Sequence, residues 1–173
     1  MQKQHLGFQN KREEKILKER MKTVHKSSLD LSELNWVDGK ELSKRVKTAI
    51  IPIGATEQHG PHLPIGTDTF ILQGIMTILK KDLGPDYPVM FLPTLPIGKS
   101  PEHLNFFGTI SLKSSTLISV LDDICFCLKK HGFSKVVFLN SHGGNLDLLK
   151  SILFDIREKY DMLAFCVYPG GYD

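Results

Sequence analysis

Four absences narrow the field before any motif is considered. The chain has only three cysteines in 173 residues, Cys125, Cys127 and Cys166. An odd count without framework spacing excludes a small scaffold held together by disulfides. Free cysteine behaves as a small hydrophobe, so all three are expected as buried thiols. No uninterrupted apolar run approaches the roughly 20 residues needed to span a bilayer, so no membrane partner is expected. The N-terminus also lacks the apolar core of a signal peptide, which makes the cytoplasm the expected compartment. Net charge is low as well, at +3. Residues 1–30 carry eight Lys or Arg against four Asp or Glu, which leaves the rest slightly acidic. A body near neutrality has no basic face for nucleic acid.

What is present is an ordinary globular composition, 41% hydrophobic and 24% charged. Two regions are expected. Residues 1–30 form a charged helical extension, in which Leu17, Met21 and Val24 make a narrow stripe along 10–26. That helix is expected to rest on the body or on a neighbouring subunit. Residues 31–173 form one α/β domain. Within it, apolar β-branched or aromatic runs predict strands at 48–53, 88–93, 135–139 and 162–168. Helices are expected over 69–82, 114–132 and 145–160, the second starting at a Ser N-cap and stopping at Gly132. The first of these helices carries apolar Ile71, Leu72, Ile75, Ile78 and Leu79. Strands alternating with helices are the pattern of a mostly parallel sheet covered on both faces. In such sheets ligands bind beyond the carboxyl ends of the strands.

Two polar loops occupy that position. The first, "GATEQHGPHLPIGTD" (54–68), holds Glu57, His59, His62 and Asp68 among glycines and prolines. In extended backbone, side chains two apart point the same way, so Glu57 and His59 can face one point. Carboxylate oxygen and imidazole nitrogen are ligands for Zn²⁺, Mn²⁺ or Fe²⁺. Asp68 sits where a helix begins and is either a further ligand or an N-cap. The second loop, "NSHGGN" (140–145), puts His142 just past a strand, beside two glycines that permit close backbone approach. If the loops meet, Glu57, His59, Asp68 and His142 form one metal-binding set. The alternative use of "HGGN" is an anion nest for a nucleotide, but neither a G-x-G-x-x-G nor a Walker pattern accompanies it. His62 is expected to brace its loop by hydrogen bonding, the alternative being contact with substrate. Asn145 is expected as the N-cap of the last helix, or as a support for His142.

The blocks "EQHGPHLPIGTD" (57–68) and "NSHGGN" together resemble the creatininase (creatinine amidohydrolase) family. The block "SPEHLNFFGTISL" (100–112) is similar to that family's Ser-x-Glu-His…Phe-Pro-Gly-Thr segment. The resemblance runs from about Leu31 to about Tyr168. It implies a three-layer α/β/α sandwich and a site for two divalent metals. Glu57 and His142 would hold one metal, His59 the other, and Asp68 would bridge them. A hydroxide held between the metals would attack an amide, often within a ring, and a small-molecule amide is the implied substrate. Ser100, Glu102 and His103 are candidates for contact with it. The last two would line the pocket or serve a neighbouring subunit, and otherwise form an exposed polar pair. The resemblance also implies a homo-oligomer, often a hexamer, with 94–113 as a contact segment.

Three positions depart from the family pattern. Phe107 replaces a usual Pro, and Ser141 replaces a common Gly. Gly144 stands where creatininase proper has a Glu that binds the second metal. Relatives with this Gly-Gly form carry a later His-Ala-Gly…Glu-Thr-Ser block, and this sequence has none. The expectation is therefore a domain lacking its C-terminal part, with the general acid or base beyond Asp173 and no catalytic side chain assigned. A family member that binds metal or ligand without turnover is the alternative.

Overall fold

A computed structural model describes residues 29–84 and 87–170. The helix expected over 10–26 lies outside the described residues. The order is helix α1 (Trp36–Leu42), strand β1 (Thr48–Ile53), helix α2 (Thr67–Leu83) and strand β2 (Val89–Phe91). Helix α3 (Ser114–Lys130), strand β3 (Lys135–Asn140), helix α4 (Leu146–Tyr160) and strand β4 (Leu163–Val167) follow. Every strand pairing is parallel, in the spatial order β2-β1-β3-β4. The expected α/β sandwich is the fold observed.

Alternation along the strands decides which helix covers which face. Ala49, Ile51 and Ile53 of β1 and Val136 and Phe138 of β3 point to one side. There they meet Leu117, Leu121, Cys125 and Leu128 of α3, and Leu149, Ile152 and Ile156 of α4. Ile50, Phe91 and Leu139 point the other way, onto Leu72 and Met76 of α2.

The structure corrects several local readings. Helix α1, capped by Asn35, which accepts from the amides of Val37 and Asp38, was not expected from the pattern. In α2, Met76 is buried while Ile71 and Ile78 are exposed, because the helix touches the sheet along a narrower stripe than its apolar content implies. The N-cap position of α3 is Lys113 rather than Ser114, without a side-chain cap. The second strand is shorter than expected, bounded by prolines at 88 and 93.

The cysteines also divide. Cys125 is buried, Cys166 is half-buried and Cys127 is exposed, because two residues along a helix turn the side chain to another face. Burial first, and the nearby Asp122 charge second, push the Cys125 thiol up to about 12. Since the thiolate is the reactive form, an aromatic disulfide reagent added to native protein should titrate Cys127 fast and Cys125 only on unfolding. Cys127→Ser should remove the fast phase. Persistence of that phase in the variant would contradict the assignment.

Candidate metal centre

Register places the two loops side by side. Ile53 ends β1 directly opposite Asn140, which ends β3. The chain therefore leaves both strands at one rim, and the Ser141 amide still donates to the Ile53 carbonyl at 3.1 Å. The Ser141 hydroxyl then donates to the Asp68 carbonyl at 2.8 Å, joining this loop to the first turn of α2. That contact gives the departure at 141 a structural use. Asp68 itself lies inside the first turn of α2, with Gly66 at the N-cap position, so it is not the cap.

The four expected ligands come together. Asp68 lies between two imidazoles, with Oδ1 3.2 Å from His59 Nε2 and Oδ2 2.9 Å from His142 Nδ1. Glu57 lies between the same two rings, 4.0 Å from His59 Nε2 and 3.5 Å from His142 Nε2. Ligand atoms of Glu57, His59 and Asp68 all fall within 4.8 Å of one another. Glu57, Asp68 and His142 are each only 6% exposed, while His59 is the more open member.

The donor set fits a divalent cation. Glu57 Oε2 and Asp68 Oδ2 are buried without an aligned hydrogen bond. The 2.9 Å approach of Asp68 Oδ2 to His142 Nδ1 is short in distance but not directed along a ring N–H. Buried carboxylate oxygens are expensive to leave unpaired. Two oxygens orphaned beside two imidazoles are the arrangement a shared cation would satisfy. Burial opposes the charged form of His142, but Asp68, the Lys99 carbonyl and Glu57 outweigh it and hold its pKa above the ordinary imidazole value.

Nε2 of His142 lies 3.0 Å from the Lys99 carbonyl and 3.2 Å from Ser100 Oγ. A carbonyl only accepts, so Nε2 carries the proton toward it. Ser100, expected to meet substrate, is instead fully buried against His142. His103 is half-buried and bonded through Nδ1 to Gln58 Nε2 at 3.1 Å. Glu102 is exposed on the 3-10 turn Pro101–His103, yet its carboxylate comes within 4.8 Å of ligand atoms of Glu57 and His142. His62 is exposed and makes no hydrogen bond among the described residues, so it does not brace the loop as expected. At Gly144 an added Cβ would collide with the Lys99 carbonyl and with His142 Nε2, so no side chain can reach the site from that position as it stands.

Asn145 is not the side-chain cap of α4. Its Oδ1 accepts from the Lys99 amide at 2.8 Å, and its Nδ2 donates to the Gly54 carbonyl and to Asn140 Oδ1, both at 3.1 Å. Asn140 in turn donates to the His142 carbonyl at 2.7 Å and accepts from its amide at 3.2 Å. The pair therefore fixes the His142 backbone. The signal in the sequence was two asparagines bracketing "SHGG", but their partners are too distant along the chain to be read from it.

Known proteins resemble this chain in sequence and fold. A family model described as creatinine amidohydrolase matches residues 32–171. The chain is 34% identical over 128 residues to a mycofactocin precursor peptide peptidase of Mycolicibacterium smegmatis, covering 73% of this chain and 51% of that protein. It is 30% identical over 141 residues to the creatinine amidohydrolase of Pseudomonas putida, covering 76% and 52%. A crystal structure of creatinine amidohydrolase superposes with TM-score 0.69 at 25% identity, over 82% of this chain and 58% of that one. A putative creatinine amidohydrolase from Bacteroides fragilis gives TM-score 0.68 at 30% identity, over 80% and 55%. The chain thus spans a little over half the length of these relatives. The family match over most of the domain and the shared fold agree with the loop chemistry, and the chain belongs to the creatininase family.

Proposed function

We propose that the protein is a metal-dependent amidohydrolase that cleaves an amide C–N bond. The observation that supports it most is the convergence of Glu57, His59, Asp68 and His142 around two orphaned buried carboxylate oxygens. Two divalent ions, Zn, Mn or Fe, are the proposed cofactors. Bound there, they would supply an acidified water and positive charge to polarise the amide carbonyl.

The chain's own residues have separable tasks. Asp68 addresses both imidazoles with different oxygens, so it can link two cation positions. Glu57 contributes a buried negative charge between the same rings. Asn140 holds the backbone of His142, and the Lys99 carbonyl fixes the proton on its Nε2. His59 and Glu102 are the solvent-facing members, so substrate would approach from their side.

A small, cyclic, non-peptide amide is the first substrate class we propose. A peptide is the second, favoured by the mycobacterial relatives that are named for acting on a precursor peptide. Homo-oligomerisation through 94–113 is part of the same proposal. Leu104, Phe106, Phe107 and Ile110 of that segment are exposed, and apolar groups gathered on one segment suit a contact between subunits. A cytoplasmic enzyme that binds neither nucleic acid nor membrane completes it. No helix among the described residues is long and apolar enough to cross a membrane.

The test is metal analysis followed by assay. Protein saturated with Mn²⁺ or Zn²⁺ and freed of excess should retain divalent ions and turn over creatinine or a short peptide, and a chelator should stop it. Retention of no ion at saturation would overturn the proposal. Retention without turnover of either substrate class would instead support the metal-binding, non-catalytic alternative.

A further inference from the structure

Resting on the metal-binding reading above, we propose that Glu102 is a protein ligand to the cation on the His142 side of the site. A carboxylate oxygen of Glu102 and ligand atoms of Glu57 and His142 lie within 4.8 Å of one another. That spacing needs only a small contraction to place all three at the roughly 2.0–2.2 Å typical of Zn²⁺ or similar ions. The group differs from Glu57, His59 and Asp68, and the two share only Glu57.

An exposed acid near other acids is no site by itself. Here a second observation points inward. Glu57, 6% exposed, aims Oε2 into this group with no hydrogen-bond partner. Among the described residues neither Glu57 nor Glu102 has a Lys or Arg within ion-pair distance. Two carboxylates are thus brought together with only imidazole between them, and like charges at this range repel unless a cation intervenes. Nε2 of His142 is protonated toward the Lys99 carbonyl, which leaves Nδ1 as the ring atom for a cation. The Lys99 carbonyl and Ser100 Oγ occupy the Nε2 side, and Gly144 can present no side chain.

The 3-10 turn is placed for the task. The bond from Gln58 Nε2 to His103 Nδ1 ties the turn to the residue following Glu57. The Ser100 amide donates to Ser111 Oγ at 2.8 Å, which anchors its other end. Glu102 itself makes no hydrogen bond among the described residues, so its carboxylate is free to turn inward. An exposed ligand on a surface turn would also make one ion position easier to load and strip than the buried one.

The experiment is binding of the metal alone to the full chain. Wild type, Glu102→Gln and Glu102→Ala are compared by equilibrium dialysis with Mn²⁺ and by the visible absorption of the Co²⁺ form. Both variants should bind one ion at least tenfold more weakly than wild type, keep the other, and show an altered Co²⁺ spectrum. Circular dichroism should be unchanged, since Glu102 is exposed. Variants with wild-type affinities and an unchanged spectrum would overturn the assignment while leaving the metal-dependent reading intact. Wild type that binds no ion would overturn both.

Discussion

Replacing Asp68 with Asn should abolish high-affinity binding of divalent cations. The carboxylate is 6% exposed and presents one oxygen to each of two imidazoles. Removing one partner of a buried charge cluster costs about 3–5 kcal/mol, or roughly 150- to 4,000-fold in affinity. The amide keeps the shape of the side chain, so the loss reads charge and not packing.

The metal-free protein should respond differently, and in a pH-dependent way. Oxygens of Glu57 and Asp68 lie within 4.8 Å of each other. At high pH, with the His142 imidazole neutral, Asp68→Asn relieves that repulsion, so chelated variant should melt no lower than chelated wild type. At low pH the sign reverses. The folded-state pKa of His142 is raised, with Asp68 among the causes. The stability this adds is fully present below the ordinary imidazole value and fades as pH rises through the raised one. Chelated variant should therefore melt below chelated wild type near pH 5.5 but not near pH 9. Thermal melts at both values, with and without Mn²⁺, check the claim. A variant still stabilised by Mn²⁺ as strongly as wild type would show that Asp68 holds no cation.

How much of this could be read in advance depended on the range of the interaction. The strands β1 and β3 are apolar runs buried on both faces, and such runs announce themselves locally. The clustering of the candidate ligands was legible for a related reason. Glu57 and His59 share a loop, and His142 follows directly on a strand, so residue type and position both pointed to a site. Exposure along helices was less legible. Ile71, Ile78 and Cys127 are apolar residues on outward faces, because the stripe a helix buries is set by the sheet it meets and not by its own composition. The inward position of Ser100 was hidden as well. It depends on a 3-10 turn whose neighbour is a histidine 42 residues later. Of the two roles expected for Asn145, the N-cap fails for the same reason, while the support of His142 is observed. At the start of a helix, asparagine is usually a cap, and nothing nearby in the chain signals otherwise.

Asn145 also carries the second large effect. Asn145→Ala should lower the melting temperature by roughly 5–15 °C, through loss of about 2–4 kcal/mol. Its fully buried amide bonds Lys99 and Gly54, on the segments that follow β2 and β1, and Asn140, which ends β3. One side chain therefore ties together three separate exits from the sheet. Truncation leaves the buried Gly54 carbonyl and the Lys99 amide without this partner, and it frees the asparagine that holds His142. Metal affinity should fall about 10- to 100-fold, because a group that orients a ligand has been removed while every ligand remains. Gly98→Ala approaches the same knot from outside. The added Cβ would sit 2.5 Å from Asn145 Oδ1 and 2.6 Å from the Gly54 carbonyl, so the three segments must part to admit it. Both variants should lose stability and metal affinity together, whereas Glu102→Gln should lose affinity alone. If Asn145→Ala melts within a degree or two of wild type and binds Mn²⁺ normally, the rim is held by something other than this amide.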